Sequence, residues 1–263
     1  MLSSESISIE GDRHINEELF GGNILAPRGE LEGAGSYAEA IEALGASGLR
    51  YPGGSLTEYM FDLSNPDANE LVDARTGDVK SFIGLTEFME YAAEAGQPAT
   101  IVIPTRTQLS ENSDIHGDRW PDIDEDELRS FIGKVAAGEY GSAEVRAFEI
   151  GNEYWGSGEM KAVEYGRLAS EMTEIINDEL LKLNMDDDID IVIQKGNNFH
   201  YSRLSEDYEG VDPHEALEDL NETYDLSLGD DAIFNNGTVN WAYVNAKLVM
   251  AGFDEEAEIA GLD

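Results

Sequence analysis

The order of segments along the chain predicts an α/β protein built on a parallel sheet, in the form of an incomplete (β/α)8 barrel. Three observations lead there. Short apolar segments alternate with helical stretches, the pattern of βα units. The glycine-rich phosphate turns of nucleotide-binding sheets, GxGxxG and GxxxxGK[ST], are absent from the sequence. Residues capable of chemistry instead follow several different strands, as they do where a barrel site is assembled.

Strand-like segments are read at 18–25 (ELFGGNIL), 47–51 (SGLRY), 99–104 (ATIVIP), 145–150 (VRAFEI) and 189–194 (IDIVIQ). Between them, 36–48 has apolar residues at helical spacing and stops at a glycine. The segment 84–96 has Thr86 as its expected N-cap and Gly96 as its stop. The stretch 122–138 opens with acids, which suit a helix N-terminus. The segment 160–184 is the longest amphipathic one, and a last helix is read over 239–252. Ala257–Asp263 reads as the approach to a sixth strand, so the 263 residues are expected to be the N-terminal portion of a single barrel domain. A complete barrel takes about 250 residues and eight strands. Two polar stretches, Asn65–Lys80 and Asn198–Gly229, are expected as loops over the site.

Charge is the compositional outlier. Fifty-six acidic and sixteen basic residues give a formal charge of −40, which repels nucleic acid and anionic membranes. Neither is expected as a partner, and a salt-rich or cation-rich setting is. The clusters DIDED (122–126) and DDDID (186–190) raise Ca²⁺ at the acidic surface as a partner. Neither has the Gly and terminal Glu of a calcium loop, so both read first as solvated surface or helix-start acids. Zero Cys removes disulfides, thiolate metal sites and a Cys nucleophile. The four His show no metal-ligand spacing, and no cofactor is implied. The N-terminus has no basic and apolar signal pattern. The compartment stays open, with export by another route one option.

The residues that follow the strands suggest sugar chemistry. At 145–155, VRAFEIGNEYW, an apolar run ends by presenting Asn152 and Glu153 beside Tyr154 and Trp155. A carboxylic acid walled by rings is partly desolvated, which raises its pKa toward that of a general acid. Asn152 suits a sugar hydroxyl, and the rings suit a sugar face. The competing reading is a capped strand end with core aromatics. After the second strand, Arg50 precedes the sharp turn Pro52-Gly53-Gly54; its competing reading is a structural salt bridge. Asn197 and His200 follow the fifth strand. Glu149 lies within its strand and reads as support for the sheet.

Together these residues resemble the clan A retaining glycoside hydrolases, nearest to the α-L-arabinofuranosidase branch. That branch has an R-[WY]-P-G-G turn, a G-x-x-E-F helix start and an E-I-G-N-E strand four. Here they read LRYPGG (49–54), GLTEF (84–88) and FEIGNE (148–153). The resemblance implies a (β/α)8 fold, Glu153 as acid/base and Asn152 on the hydroxyl next to the anomeric carbon. It puts Arg50 near the site floor and implies a nucleophilic Glu at the end of strand seven, beyond residue 263. FGGNILAP lacks the acid that branch carries after its strand-one glycine, with Asn23 there instead. The related β-glucuronidase/heparanase-like and xylosidase-like branches therefore stay open.

Retaining hydrolysis needs two carboxyl groups about 5–5.5 Å apart. Glu149 does not supply the second, since residues four apart on a strand are about 13 Å apart. The expected function is thus hydrolysis of O-glycosyl bonds in a poly- or oligosaccharide, by a chain inactive without its continuation. Two other classes compete: a non-catalytic glycan-binding module and an acidic Ca²⁺-binding surface protein.

Overall fold

The computed structural model describes residues 21–33, 35–196 and 207–260. Within them a five-stranded parallel sheet forms from β1 (Gly22–Asn23), β2 (Leu49–Tyr51), β5 (Ala99–Ile103), β8 (Val145–Ile150) and β9 (Asp190–Val192). These strands stand side by side in chain order, β1-β2-β5-β8-β9. A doubly wound sheet reverses its strand order at a switch point, and this one does not. Under the right-handed rule for such connections, each crossover steps the same way and lays its helix on the same face. The protein is a mixed α/β structure compatible with part of a (β/α) barrel.

Strand register sorts the residues onto two faces. One row runs Tyr51, Ile101, Phe148, Ile191 across neighbouring strands. Its first three members are fully buried and belong to the main apolar core. The helices α3 (Leu85–Glu94), α4 (Glu125–Ala136) and α5 (Ala162–Leu183) complete that core with Phe88, Met89, Phe131, Ile132, Leu168 and Met172. Tyr51 stacks on Phe88 at 4.6 Å. The adjacent row points the other way: Asn23, Arg50, Thr100, Ala147, Asp190. Alternation along each strand puts Val102 and Glu149 on that second face as well. This face is polar and partly open, and it carries the candidate site.

Local chemistry explains the helix ends. Ser36 caps α1 (Tyr37–Leu44), which ends at the left-handed Gly45. Asp124 caps α4 by accepting the Glu127 N–H, so the DIDED acids serve a helix start. The expected cap Thr86 instead lies inside α3, where Asp67 accepts its N–H at 2.7 Å and its hydroxyl at 2.9 Å. That aspartate, nineteen residues away, replaces a local cap.

Four further segments differ from the sequence reading or add to it. Asn65–Lys80 contains a hairpin, β3 (Glu70–Val72) with β4 (Val79–Ser81), and α2 (Leu56–Met60) precedes it. A second hairpin, β6 (Leu109–Ser113) with β7 (Arg119–Pro121), rests on α5 through the ion pairs Arg119–Glu164, Lys161–Asp118 and Arg167–Asp114. The polar stretch 198–229 is not all loop: α6 (Pro213–Tyr224) lies in it, capped by Asp212 with Pro213 in the first turn. The last helix, α7 (Trp241–Ala260), runs beyond 252, so residues 257–260 are helical and no sixth strand begins there. Helix α7 packs against α5 at Gly166 and Gly252, where a Cβ on either would overlap backbone of the other helix. Among the described residues no helix is long and apolar enough to cross a membrane.

Candidate functional site

At the carboxyl ends of the sheet strands, one cation ties together residues from three strand ends. Arg50 donates from Nε to Glu149 Oε2 at 2.6 Å and from Nη2 to Glu149 Oε1 at 2.9 Å. The same Nη2 donates to Asn152 Oδ1 at 3.2 Å, and Nη1 donates to Asn23 Oδ1 at 3.3 Å. To do so the side chain crosses β5, which lies between β2 and β8. Arg50 thus makes the salt bridge of its structural reading and also meets two of the expected site residues. The Pro52-Gly53-Gly54 turn leaves its free space to Asn23: a Cβ at Gly53 would overlap the Asn23 amide. Asn23 itself stays exposed.

Asn152 and Glu153 are neighbours with opposite fates. Asn152 is 5% exposed, donates from Nδ2 to Ser157 Oγ at 3.1 Å, and accepts from Arg50. Glu153 is exposed, with a left-handed φ of 49°. That conformation costs a non-glycine residue roughly 1–2 kcal/mol. It is held by the N–H groups of Gly156 and Gly158, both donated to the Glu153 carbonyl, at 2.8 and 3.2 Å. The Glu153 carboxylate lies over Gly156.

The rings do not wall this acid as expected. Tyr154 is fully buried and stacks on Tyr165 at 4.6 Å, so it belongs to the core and offers no face to a ligand. Burial pushes its phenol well above the usual range. After the left-handed turn at Glu153 the chain re-enters the core, which sends residue 154 inward. Trp155 is half-buried and meets Tyr154 edge-on. Asn197 and His200 lie outside the described residues.

Two residues passed over in the sequence complete the arrangement. Gln194, two residues beyond β9, donates from Nε2 to Glu149 Oε1 at 3.2 Å and to the Gly151 carbonyl at 2.9 Å. Its N–H donates to the Tyr165 hydroxyl, which donates in turn to the Ile150 carbonyl. Glu58, on α2, is 6% exposed. It accepts the N–H groups of Thr105, Arg106 and Asn152 at 2.8, 2.8 and 2.7 Å. Burial pushes the Glu58 carboxyl above its usual range, and the N–H groups pull it part of the way back. The signal for Gln194 was a polar residue ending the apolar run IDIVIQ. For Glu58 nothing local distinguishes it from the chain's other acids.

Around this centre, the Arg75 and Arg106 guanidinium groups lie 4.4 and 4.9 Å from the Tyr59 ring centroid. Arg106 also pairs with Glu159 at 3.3 Å. The arrangement can present an exposed carboxylate, an oriented amide and a neutralised Arg–Glu pair on one end of a rigid sheet.

No protein-family model matches the chain, and no curated protein does. Among solved structures, the crystal structure of an arabinofuranosidase aligns with a TM-score of 0.45 and 20% identity, over 80% of this chain and 52% of that one. The chain spans about half the length of that structure.

Proposed function

We propose that this chain forms the first five βα units of a single (β/α)8 domain that hydrolyses O-glycosyl bonds with retention, Glu153 being the general acid/base. The observation that carries this reading is the division of labour at the end of β8. Glu153 stands in solvent on a left-handed backbone, while the adjacent Asn152 is buried and oriented by Arg50. An acid/base must reach a leaving oxygen, and the group beside it must hold a sugar hydroxyl in fixed register. Asn152 fills the second role through the Oδ1 lone pair and the Nδ2 hydrogen that Arg50 and Ser157 leave free, with Asn23 and Trp155 at the rim as further sugar contacts. Asn197 and His200 remain candidates for that rim.

Glu149 does not serve as the nucleophile, because both of its oxygens are taken up by Arg50 and Gln194. The reading therefore assigns the attacking carboxylate to a later strand of the domain. The substrate in this reading is a poly- or oligosaccharide, and the charge of −40 argues against nucleic acid and anionic membranes as partners.

The test is hydrolysis of aryl glycosides by the native protein, with whatever sequence follows residue 263, and by its Glu153→Gln variant. Loss of a general acid costs about 10²–10⁴ in rate on poor leaving groups. Azide should restore turnover on activated substrates, where the acid is not needed. Equal hydrolysis by both proteins sinks the reading.

A further inference from the structure

We infer that Glu58 is a positioning residue for this site, its carboxylate binding the loop after β5 to the strand end that carries Glu153. The inference rests on the hydrolase reading for its consequence, but its geometry stands alone. The sheet ladder between β5 and β8 ends where the Gly151 N–H donates to the Ile103 carbonyl at 2.8 Å. Beyond that rung the two chains diverge, and the next N–H groups have no strand partner. Glu58 supplies the missing acceptors. Oε2 takes Thr105 and Arg106, Oε1 takes Asn152, and the Thr105 hydroxyl lies 3.3 Å from both oxygens.

Three features make this more than an ordinary buried acid. First, no cation is among its hydrogen-bond partners in the described residues, so the carboxylate is compensated by backbone dipoles. Burying a charge without a counter-ion is costly and persists where many donors satisfy it. Second, its partners lie 47, 48 and 94 residues away, and Glu58 follows the turn after β2, so one side chain joins three strand ends. Third, it fixes the Asn152 N–H, one peptide unit before Glu153, while Gly156 and Gly158 fix the Glu153 carbonyl directly after it. The Asn152 carbonyl, in the peptide next to the Glu153 Cα, accepts the Ser157 hydroxyl at 2.5 Å, so the backbone is held on both sides of Glu153, with Glu58 anchoring the strand end one step earlier.

Glutamine cannot replace Glu58 in this role. It offers one acceptor oxygen and turns an NH₂ donor toward backbone N–H groups, so at least one of them loses its partner. The Glu153 backbone then gains freedom, and a misplacement of about 1 Å can cost roughly a hundredfold in rate.

The experiment has two arms on the Glu58→Gln protein. Amide hydrogen exchange is expected to speed up at Thr105, Arg106 and Asn152 while amides within α5 stay protected. The kcat/KM for aryl glycosides, which reports the first step where Glu153 acts as acid, is expected to fall steeply on poor leaving groups and hardly at all on activated ones. A merely structural role would lower both alike, because only the poor leaving groups need a well-placed acid. Unchanged exchange at the three amides overturns the inference, as does an equal loss on all leaving groups. If the unsubstituted protein hydrolyses nothing, the hydrolase reading fails and the exchange arm still decides whether Glu58 holds the two loops. Should Glu58→Gln not fold, Glu58→Asp keeps the charge on a shorter stem and is expected to give the same local pattern, weaker.

Discussion

Arg50 holds Glu149 at two points across an intervening strand, Nε on Oε2 at 2.6 Å and Nη2 on Oε1 at 2.9 Å. The two residues are 99 positions apart, and their side chains are 24% and 15% exposed. Two-point geometry in a partly dry setting is the form of ion pair in which orientation matters most. Here it fixes the guanidinium so that its remaining N–H groups face Asn152 and Asn23.

Removing the cation alone should be costly. Arg50→Met leaves Glu149 mostly buried and short of a partner, and should lower stability by about 3 kcal/mol. Arg50→Met with Glu149→Leu removes both charges and should recover part of that loss. Urea unfolding of the two variants checks this. If the double variant is less stable than the single by the full cost of a second independent lesion, the pair is not coupled.

The helical glycines 133 and 166 should respond oppositely to alanine. At Gly166 a Cβ would overlap the Val249 carbonyl on α7, so Gly166→Ala must push two helices apart. A loss of about 1–3 kcal/mol is expected from such overpacking. At Gly133 the nearest atom is the end of the flexible Glu179 side chain, at 3.1 Å. Gly133→Ala should therefore be neutral or gain up to about 1 kcal/mol through helix propensity. Thermal melts of both proteins decide it, and equal effects would contradict the close α5–α7 approach.

Acid should loosen the hairpin around Asp73. The Arg75 and Lys80 side chains, at 2.9 Å each, hold its carboxyl well below the usual carboxylate range. A folded pKa below the unfolded one of about 3.9 gives stability that is present above that value and lost as pH falls through the folded one. Asp73→Asn should thus melt lower than the unsubstituted protein near neutrality, and the gap should close as pH drops below about 4. A gap that widens toward acid would reverse the assigned sign.

Salt should stabilise the whole molecule. A formal charge of −40 repels itself, and raising ionic strength from about 0.1 to 1 M shortens the screening length from about 10 to 3 Å. The melting temperature should climb with NaCl across that range. Low millimolar CaCl₂ producing the same climb would instead indicate a bound cation at the acidic surface.

Much of the scaffold was legible along the chain. The run VRAFEI forms β8 at the residues read for it, and the other four strands of the parallel sheet lie within the stretches read for them. This is because apolar periodicity reports burial locally, residue by residue. The same principle explains why the adjacent Asn152 and Glu153 stood out where an apolar run stops. It misled at 257–260, where helical packing of α7 extends a segment whose composition also suits a strand.

What tertiary structure alone decided is which way each side chain points and whom it meets. Glu153 and Tyr154 are neighbours, yet a positive φ at the first puts one in solvent and the other in the core. Thr86 had every local mark of a cap, but Asp67 took that function from nineteen residues away. Arg50 chose Glu149, and Glu58 gathered three amides, only because β1, β2, β5, β8 and β9 lie side by side in chain order. Hydrogen bonds spanning 47 to 99 residues depend on strand order and register, which no local window of sequence contains.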